Sequence, residues 1–185
     1  MNLSIVGSMS AAAGTLTWTP AAERTDLLAP PVADAIAALP SARVAEIDPD
    51  LADTAAFCAA YSSPLESSAN CVVVAGKRAG EVRRAAVLVL ATHRADINTV
   101  VRRHLDVRKI SFAKMAEAVE LTGMEYGGIT PVGLPEDWPV LVDEAVVAAG
   151  EVVIGSGVRG SKLLAAAAEL ANLSSAEVLA LATPA

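Results

Sequence analysis

Short blocks of apolar residues, separated by polar turns, predict a chain built from many brief strands and helices. Residues 71–75 form a continuous apolar run rich in valine, which is typical of a buried strand. Residues 81–91 are predicted to form a second strand, and the turn predicted at residues 76–80 between the two strands makes the pair a β-hairpin. Residues 140–143 and 151–154 predict two further buried strands.

Helical segments are predicted between these strands. Residues 27–39 read as a helix, because Pro30 and Pro31 stand near its start and Pro40 follows its end. Asp50 or Asp53 can cap a second helix that runs to about residue 61.

Two more helices are predicted in the middle of the chain. Asp96 caps one that continues through residue 104, and Ser111 caps another over residues 112–121. Gly123 ends the second of these as a C-terminal cap.

The remaining pattern decides the fold class. Short strands are predicted at residues 43–47 and 107–110, an edge strand at 15–20, and a strand, a helix and a last strand in the Ala/Leu-rich tail 163–182. Such irregular alternation around a hairpin predicts a mixed α/β (α+β) fold, with a mixed, partly barrel-like sheet and flanking helices. We expect one domain over residues 21–185, preceded by an N-terminal extension over residues 1–20.

Composition narrows the class of protein. The 185 residues favour one domain, and 54% hydrophobic with 19% charged residues excludes a disordered chain. No apolar run reaches the roughly 18 residues of a membrane span, and the first 14 residues carry no basic residue of a signal peptide. We therefore expect a cytoplasmic protein without a membrane partner, whose two cysteines are reduced thiols.

Charge is distributed unevenly along the chain. The net charge is −7, yet residues 77–114 hold ten of the 14 basic residues and only three acids. This segment predicts a local site for a polyanion, with Arg83, Arg84, Arg102 and Arg103 as candidate phosphate contacts. The alternative is that these arginines are only the solvated faces of a strand pair and a helix.

Side-chain motifs for metal or nucleophilic chemistry are not found in the sequence. His93 and His104 stand eleven residues apart, and Cys58 and Cys71 have no metal-site spacing, so no metal is expected. Cys71 begins an apolar strand and reads as a buried structural thiol. Nucleophile-elbow, phosphate-loop and dinucleotide motifs are all missing, so no cofactor is expected.

Two glycine-containing loops are the most specific features. The first is Gly127, Gly128, Ile129, Thr130 and Pro131. The second is Gly155, Ser156 and Gly157, followed by Arg159, Gly160 and Lys162. Adjacent glycines let the backbone approach a ligand and donate N–H groups to a carbonyl oxygen or a phosphate, although two tight turns would give the same pattern.

These loops resemble motifs of the YbaK/EbsC family, relatives of the editing domain inserted in bacterial prolyl-tRNA synthetase. Residues 123–133, which read Gly-Met-Glu-Tyr-Gly-Gly-Ile-Thr-Pro-Val-Gly, resemble the family's signature loop, and residues 127–131 match its Gly-x-x-x-Pro element. Residues 140–143 resemble the strand and aspartate that follow, and residues 155–160 resemble the glycine-rich loop with its basic residue. The order of elements agrees from about residue 50 to residue 185.

The resemblance implies a trans-acting aminoacyl-tRNA deacylase, which hydrolyses the ester between a wrong amino acid and the 3′ end of tRNA. Residues 127–131 would position the carbonyl and the terminal ribose, and a ribose hydroxyl would assist the attacking water. Substrate-binding roles are implied for Asn70, Asp143, Gly155, Ser156, Gly157, Arg159 and Lys162. The expected partner is tRNA rather than DNA, with a synthetase or an elongation factor as further candidates.

Asn70 is a departure from the family pattern. Many members carry a lysine at the start of the strand that here begins Asn70-Cys71, and asparagine brings no charge. Arg159 or Lys162 could supply that charge from another loop. Two alternatives stay open: a non-catalytic module that binds tRNA or a small ligand in the same pocket, and a small-molecule enzyme or regulator.

Overall fold

Strands and short helices alternate along residues 10–185, the part of the chain that the computed structural model describes. The strands are β1 Thr19–Pro20, β2 Arg43–Glu46, β3 Ala69–Arg78, β4 Glu81–Leu90, β5 His93–Ala95, β6 Lys109–Phe112, β7 Val140–Asp143, β8 Glu151–Gly155, β9 Ser161–Ala166, β10 Ala176–Leu179 and β11 Ala182–Pro184. The helices are α1 Pro30–Ala35, α2 Thr54–Tyr61, α3 Arg102–His104, α4 Met115–Thr122, α5 Glu144–Ala148 and α6 Ala167–Ala171. Within residues 10–185, no helix has both the length and the apolar composition needed to cross a membrane.

The predicted hairpin is the centre of the fold. β3 and β4 pair antiparallel over ten residues each, from Ala69 opposite Leu90 to Arg78 opposite Glu81. Only Ala79 and Gly80 form the turn, with φ of +50° and +87°, as a two-residue turn with left-handed residues requires. The turn is therefore shorter than predicted, because cross-strand pairing continues through Gly76, Lys77 and Arg78.

The mixed sheet is confirmed, but the partial barrel is not. A five-stranded sheet has the order β10-β7-β4-β3-β6, with β7 parallel to both β4 and β10. A four-stranded antiparallel sheet has the order β1-β2-β9-β8, and β5 pairs with β11 separately. Among the described residues, one isolated bridge between Ser68 and Val153 links the two larger sheets, so they do not close into a barrel.

Aliphatic side chains fill the space between the two larger sheets. Val44, Leu88, Val142, Ile154 and Leu163 all belong to this buried cluster, with exposures of 2% or less. Burying a Val, Leu or Ile side chain contributes roughly 1.5–3 kcal/mol, so this layer holds the strands that carry the site. A second cluster covers the opposite face of the five-stranded sheet, and it includes Val74, Val87 and Leu141.

The first two predicted helices form with shorter bounds. Residues 27–39 contain α1, which starts at Pro30 because proline fits the first helical position, followed by a 3₁₀ turn at Ile36–Ala38. Asp53 rather than Asp50 caps α2, and its Oδ1 accepts hydrogen bonds from the N–H groups of Ala55 and Ala56 at 3.1 and 3.3 Å.

The predicted Ser111 cap and the start of its helix are wrong. Ser111 and Phe112 lie in β6, where they pair with Ala75 and Val74 of β3. Non-local pairing overrides the local capping signal here, so α4 begins only at Met115. Gly123 ends α4 in the left-handed conformation, as predicted, with φ of +66°.

Two other segments differ in detail. Asp96 does cap the segment after β5, through a 2.9 Å hydrogen bond from the N–H of Thr99, but Ile97–Val101 is a π-helical turn before α3. Of the predicted edge strand at residues 15–20, only Thr19–Pro20 pairs, with β2. Residues 1–9 of the proposed N-terminal extension lie outside the described residues.

Candidate active site

A cleft of about 770 Å³ opens beside the first half of β3. Its other walls are the start of α2, the end of β6 and the loop that follows α4. The C-terminal end of β8 and the N-terminal end of β9 complete the lining. This volume lies within the roughly 300–1,000 Å³ of typical ligand pockets. The cleft collects six of the residues that the sequence predicts for the site: Asn70, Gly127, Ile129, Gly155, Arg159 and Lys162.

Backbone hydrogen bonds join the two glycine loops into one unit. The N–H of Glu125 donates to the carbonyl of Gly157 at 2.8 Å, and the N–H of Gly157 donates to the carbonyl of Gly128 at 2.7 Å. The Glu125 carboxylate also accepts from the N–H of Arg159 at 2.7 Å. Loops that are far apart in sequence therefore present one continuous edge to the cleft.

Gly128 serves this contact between loops rather than a ligand. A Cβ atom at this position would lie 2.7 Å from the carbonyl oxygen of Val158, too close for any side chain. Gly128 is buried, and its N–H donates to the carbonyl of Glu125 at 2.9 Å. The expectation that both adjacent glycines offer N–H groups to a ligand is therefore corrected for Gly128.

Gly127 and Ile129 have backbone N–H groups without a hydrogen-bond partner among the described residues. Both residues line the cleft, and within residues 10–185 neither backbone N–H has a hydrogen-bond acceptor. Gly127 has φ of +84°, a conformation that glycine adopts without strain. Free backbone N–H groups are the usual means of stabilising a negatively charged oxygen in acyl transfer.

Besides Gly128, five of the predicted site residues lie outside the cleft. Thr130 and Pro131 are buried beneath the loop, and the Thr130 hydroxyl has no partner among the described residues. Ser156 binds the carbonyls of Val158 and Ser161, and Gly157 packs against α1.

Asp143 is the fifth, and its carboxylate is part of the framework. One oxygen caps α5 through the N–H of Ala145 at 3.1 Å. The other accepts from the N–H groups of Leu181 and Ala182 at 3.0 and 2.9 Å. The Asp143 carboxylate therefore joins the start of α5 to the start of β11. It does not line the cleft.

Lys162 places a cation at the base of the cleft. Its side chain is 7% exposed, and Nζ donates to the carbonyl of Ala52 at 2.9 Å. The ammonium also lies 5.5 Å from the centre of the Phe57 ring. Burial lowers the pKa of Lys162, and the nearby Cys58 and Asp53 partly oppose that shift.

Asn70 is tied to the same part of α2. The hydroxyl of Thr54 donates to Asn70 Oδ1 at 2.7 Å, and Thr54 begins the helix that follows Ala52 and Asp53. The start of α2 and the residues before it therefore contact both Asn70, where the family resemblance implied a lysine, and Lys162, which brings a positive charge.

Arg159 braces the edge of the cleft. Its guanidinium donates to the carbonyl of Pro49 at 2.8 Å and to that of Tyr126 at 3.4 Å. These bonds fix the segment before α2 against the first glycine loop. Arg159 thereby positions both walls.

Cys71 lines the cleft but cannot act as a thiolate at neutral pH. Burial raises the pKa of its thiol to about 12, so the neutral form dominates. Neither histidine lines the cleft, and no group of three or more metal-ligating side chains occurs among residues 10–185.

The four arginines predicted to contact RNA do not form one surface. Arg83 binds the Asp106 carboxylate at 3.3 Å and the Leu105 carbonyl at 3.0 Å. Arg84, on the opposite face of β4, pairs with Glu117 at 2.6 Å. Arg102 binds the carbonyl of Asn98 at 2.7 Å, whereas Arg103 is exposed.

Exposed apolar side chains at the cleft were missed by the sequence analysis. Leu65, Phe112, Met115 and Tyr126 line it with exposures of 43%, 62%, 55% and 58%. Phe112 was predicted to begin a helix, and that prediction gave no sign of its exposure at the cleft. A strand assignment for residues 109–112 would have put Phe112 at a sheet edge beside the glycine loop.

Comparisons with known proteins agree with this architecture. A 73-residue segment, 38% of the chain, is 40% identical to the proline–tRNA ligase of Lactobacillus gasseri, of which it spans only 13%. The structure superposes on a candidate trans-editing enzyme for prolyl tRNA synthetase with a TM-score of 0.70 and 23% identity, over 90% of this chain and 99% of the other. It superposes on the hypothetical protein APE2540 with a TM-score of 0.67 and 24% identity, over 77% and 92% of the two chains.

These structural likenesses establish the fold, and a family match establishes the relationship. The aminoacyl-tRNA editing domain matches residues 48–173, more than half of the chain. That range contains the cleft-lining residues of α2, β3, both glycine loops and Lys162. The chain therefore belongs to the aminoacyl-tRNA editing domain family.

Proposed function

We propose that this protein is a trans-acting aminoacyl-tRNA deacylase, a hydrolase that removes a wrong amino acid from the 3′ end of tRNA. One observation carries the proposal. The cleft is lined by Gly127 and Ile129, whose backbone N–H groups are unbonded, and by the buried cation of Lys162. Membership of the editing-domain family supports it, as does the fold shared with a candidate trans-editing enzyme.

The reaction needs positioning more than a reactive side chain. Water adds to the ester carbonyl carbon, and the carbonyl oxygen gains the negative charge that the N–H groups of Gly127 and Ile129 stabilise. The intermediate then expels the ribose oxygen, which takes up the proton that the water gave up, and the free amino acid and tRNA leave. The adjacent ribose hydroxyl of the substrate holds the attacking water in place, as effective positioning requires.

The apolar wall of the cleft suits the side chain of a small amino acid. Phe57, Val73 and Ala118 line it, and Val73 and Ala118 pack with the buried Trp138. Synthetases reject small apolar side chains poorly by binding alone, since one methylene changes binding by only about 1–3 kcal/mol. A separate hydrolytic site for such errors is therefore useful to translation.

Lys162 supplies the positive charge that Asn70 does not. One of its three protons is bound to Ala52, which leaves two for the substrate. A charged donor at the base of the cleft can bind the ester oxygen or the terminal phosphate more strongly than a neutral one.

Incubation with a panel of mischarged tRNAs tests the proposal directly. We expect release of the amino acid from at least one mischarged tRNA, and slower release from the correctly charged forms. Binding of every mischarged tRNA without release would overturn the proposal and favour a non-catalytic binding module. Neither binding nor release would favour a small-molecule enzyme or regulator.

A further inference from the structure

A second cavity, of about 1120 Å³, follows the cleft along the same two strands. Gly76, Lys77 and Arg78 of β3 line one side of it, and Lys109, Ile110 and Ser111 of β6 line the other. Arg84, Arg108 and Glu117 complete its charged lining. We call this cavity the basic groove.

The basic groove carries five cations and one carboxylate. Glu117 is paired with Arg84, and Arg78 is paired with Asp106 at 3.1 Å. Lys77, Arg108 and Lys109 are exposed and have no ion-pair partner among residues 10–185. In a chain with a net charge of −7, this concentration of unpaired cations favours an anionic ligand.

The pairing of β3 with β6 adds an independent observation. Lys77 lies directly opposite Lys109 across the two strands. Like charges in directly opposed positions destabilise a sheet. A bound polyanion would remove this repulsion, and an empty groove retains it.

The cleft and the basic groove are lined by successive parts of β3. Asn70 to Val73 line the cleft, and Ala75 to Arg78 line the groove on the same strand. Phe112, opposite Val74 at the end of β6, lines the cleft and has 62% of its surface exposed. From Val73 to Lys77 is four residues, about 13 Å along a strand.

We propose that the basic groove binds the phosphate backbone of the single-stranded 3′ end of tRNA, and that Phe112 stacks on one of its bases. The inference rests on the proposed function, because it places the terminal ester in the cleft. Single-stranded nucleic acids are bound by this combination of a cationic groove and an exposed aromatic ring. An acidic peptide would use the cations but would have no need of Phe112.

Salt-dependent binding of unacylated tRNA by a Lys77→Gln/Lys109→Gln double variant tests the groove. Each contact to a single strand contributes about 0.7 to the slope of log affinity against log salt, so we expect the slope to flatten by about 1.4. Arg94→Gln is the matched control, because Arg94 is an exposed cation of β5 that lines neither cavity. It should keep the wild-type slope.

A Phe112→Ala variant tests the stacking. We expect it to bind tRNA about tenfold more weakly with an unchanged salt slope, since stacking is not a phosphate contact. With tRNA trimmed of its single-stranded 3′ end, the wild type, the double variant and Phe112→Ala should bind alike. Thermal unfolding checks the fold, and the double variant should be at least as stable as the wild type because it loses the Lys77–Lys109 repulsion.

Three results would overturn the inference: an unchanged slope in the double variant, equal losses on trimmed and intact tRNA, or equally tight binding of polyglutamate. Binding of unacylated tRNA does not depend on hydrolysis, so the two proposals fail separately. If amino acids are released but the salt slope of the double variant is unchanged, only the proposal for the groove is wrong. If the slope flattens but no mischarged tRNA releases its amino acid, only the proposed deacylase function is wrong.

Discussion

Replacing Lys162 should slow hydrolysis without lowering the stability of the fold. Burial disfavours its charge, so a Lys162→Met variant, of similar length, should be as stable as the wild type or more stable despite the lost bond to Ala52. Hydrolysis should fall about tenfold or more, because a charged hydrogen bond is worth on the order of 1.5–3 kcal/mol. Thermal unfolding and the rate of amino acid release measure the two effects.

Placing at position 70 the lysine that the family resemblance implied is the control for that variant. Asn70 and Lys162 both contact the start of α2, so Lys162→Met/Asn70→Lys moves the charge across one cleft. We expect the double variant to release amino acid faster than Lys162→Met. If it remains as slow, the charge at position 162 acts on the local structure instead of the substrate.

The lowered pKa of Lys162 also predicts how stability depends on pH. In the unfolded chain this lysine has a pKa near 10.5, so the unfolded state holds the proton more tightly than the folded state. Below both values the buried ammonium weakens folding, and stability recovers as the pH rises through the lowered pKa toward 10.5. Urea unfolding of wild type and Lys162→Met across this alkaline range should converge at high pH. A constant difference between them would show that Lys162 does not change its charge there.

At the scale of elements, the contact between the two glycine loops sets the shape of the cleft. A Gly128→Val variant must push the loop away from the Val158 backbone, which displaces the N–H groups of Gly127 and Ile129. We expect release of amino acid to fall about a hundredfold, as the loss of an oxyanion donor typically causes. Circular dichroism should show that the strands persist.

Gly160→Ala is the matched control for Gly128→Val. Gly160 is in the neighbouring loop, but a Cβ there would meet nothing within 4 Å. Its rate should stay close to that of the wild type. If Gly128→Val keeps its fold and releases amino acid at the wild-type rate, the loop takes no part in the reaction.

Elements that depend on local signals were predictable from the sequence. The apolar runs gave the β3–β4 hairpin, and Asp53 and Gly123 gave helix ends, because each signal acts within a few residues. Ser111 failed as a cap because pairing with Ala75, far away in sequence, decides its conformation. Gly128 and Asp143 were predicted to contact the ligand, but Gly128 packs against a backbone carbonyl and Asp143 binds backbone N–H groups. Both contacts join segments that meet only in the folded chain, so the sequence did not reveal them.

At the scale of the whole molecule, the basic segment predicted from charge contains the basic groove, but most of the arginines proposed as phosphate contacts lie outside it or are paired. Residues 77–114 do contain the basic groove, yet Arg83 and Arg84 are held by Asp106 and Glu117. Charge along a sequence shows where cations are concentrated, whereas the fold decides which of them are already paired. Lys77 and Lys109 come together only because β6 returns to the edge of β3.

This arrangement predicts that salt acts on the encounter with tRNA and not on the chemistry. For mischarged tRNA, kcat/KM should fall steeply with salt, with a slope of about −2 for the three unpaired groove cations, while kcat stays nearly constant. An aminoacyl-adenosine carries the same ester without backbone phosphates, so its kcat/KM should be almost independent of salt. Steady-state rates for the two substrates between low and physiological salt provide the measurement. Equal slopes would mean that salt acts inside the cleft, on Lys162 or the loops, and that the groove cations make no phosphate contacts during the reaction.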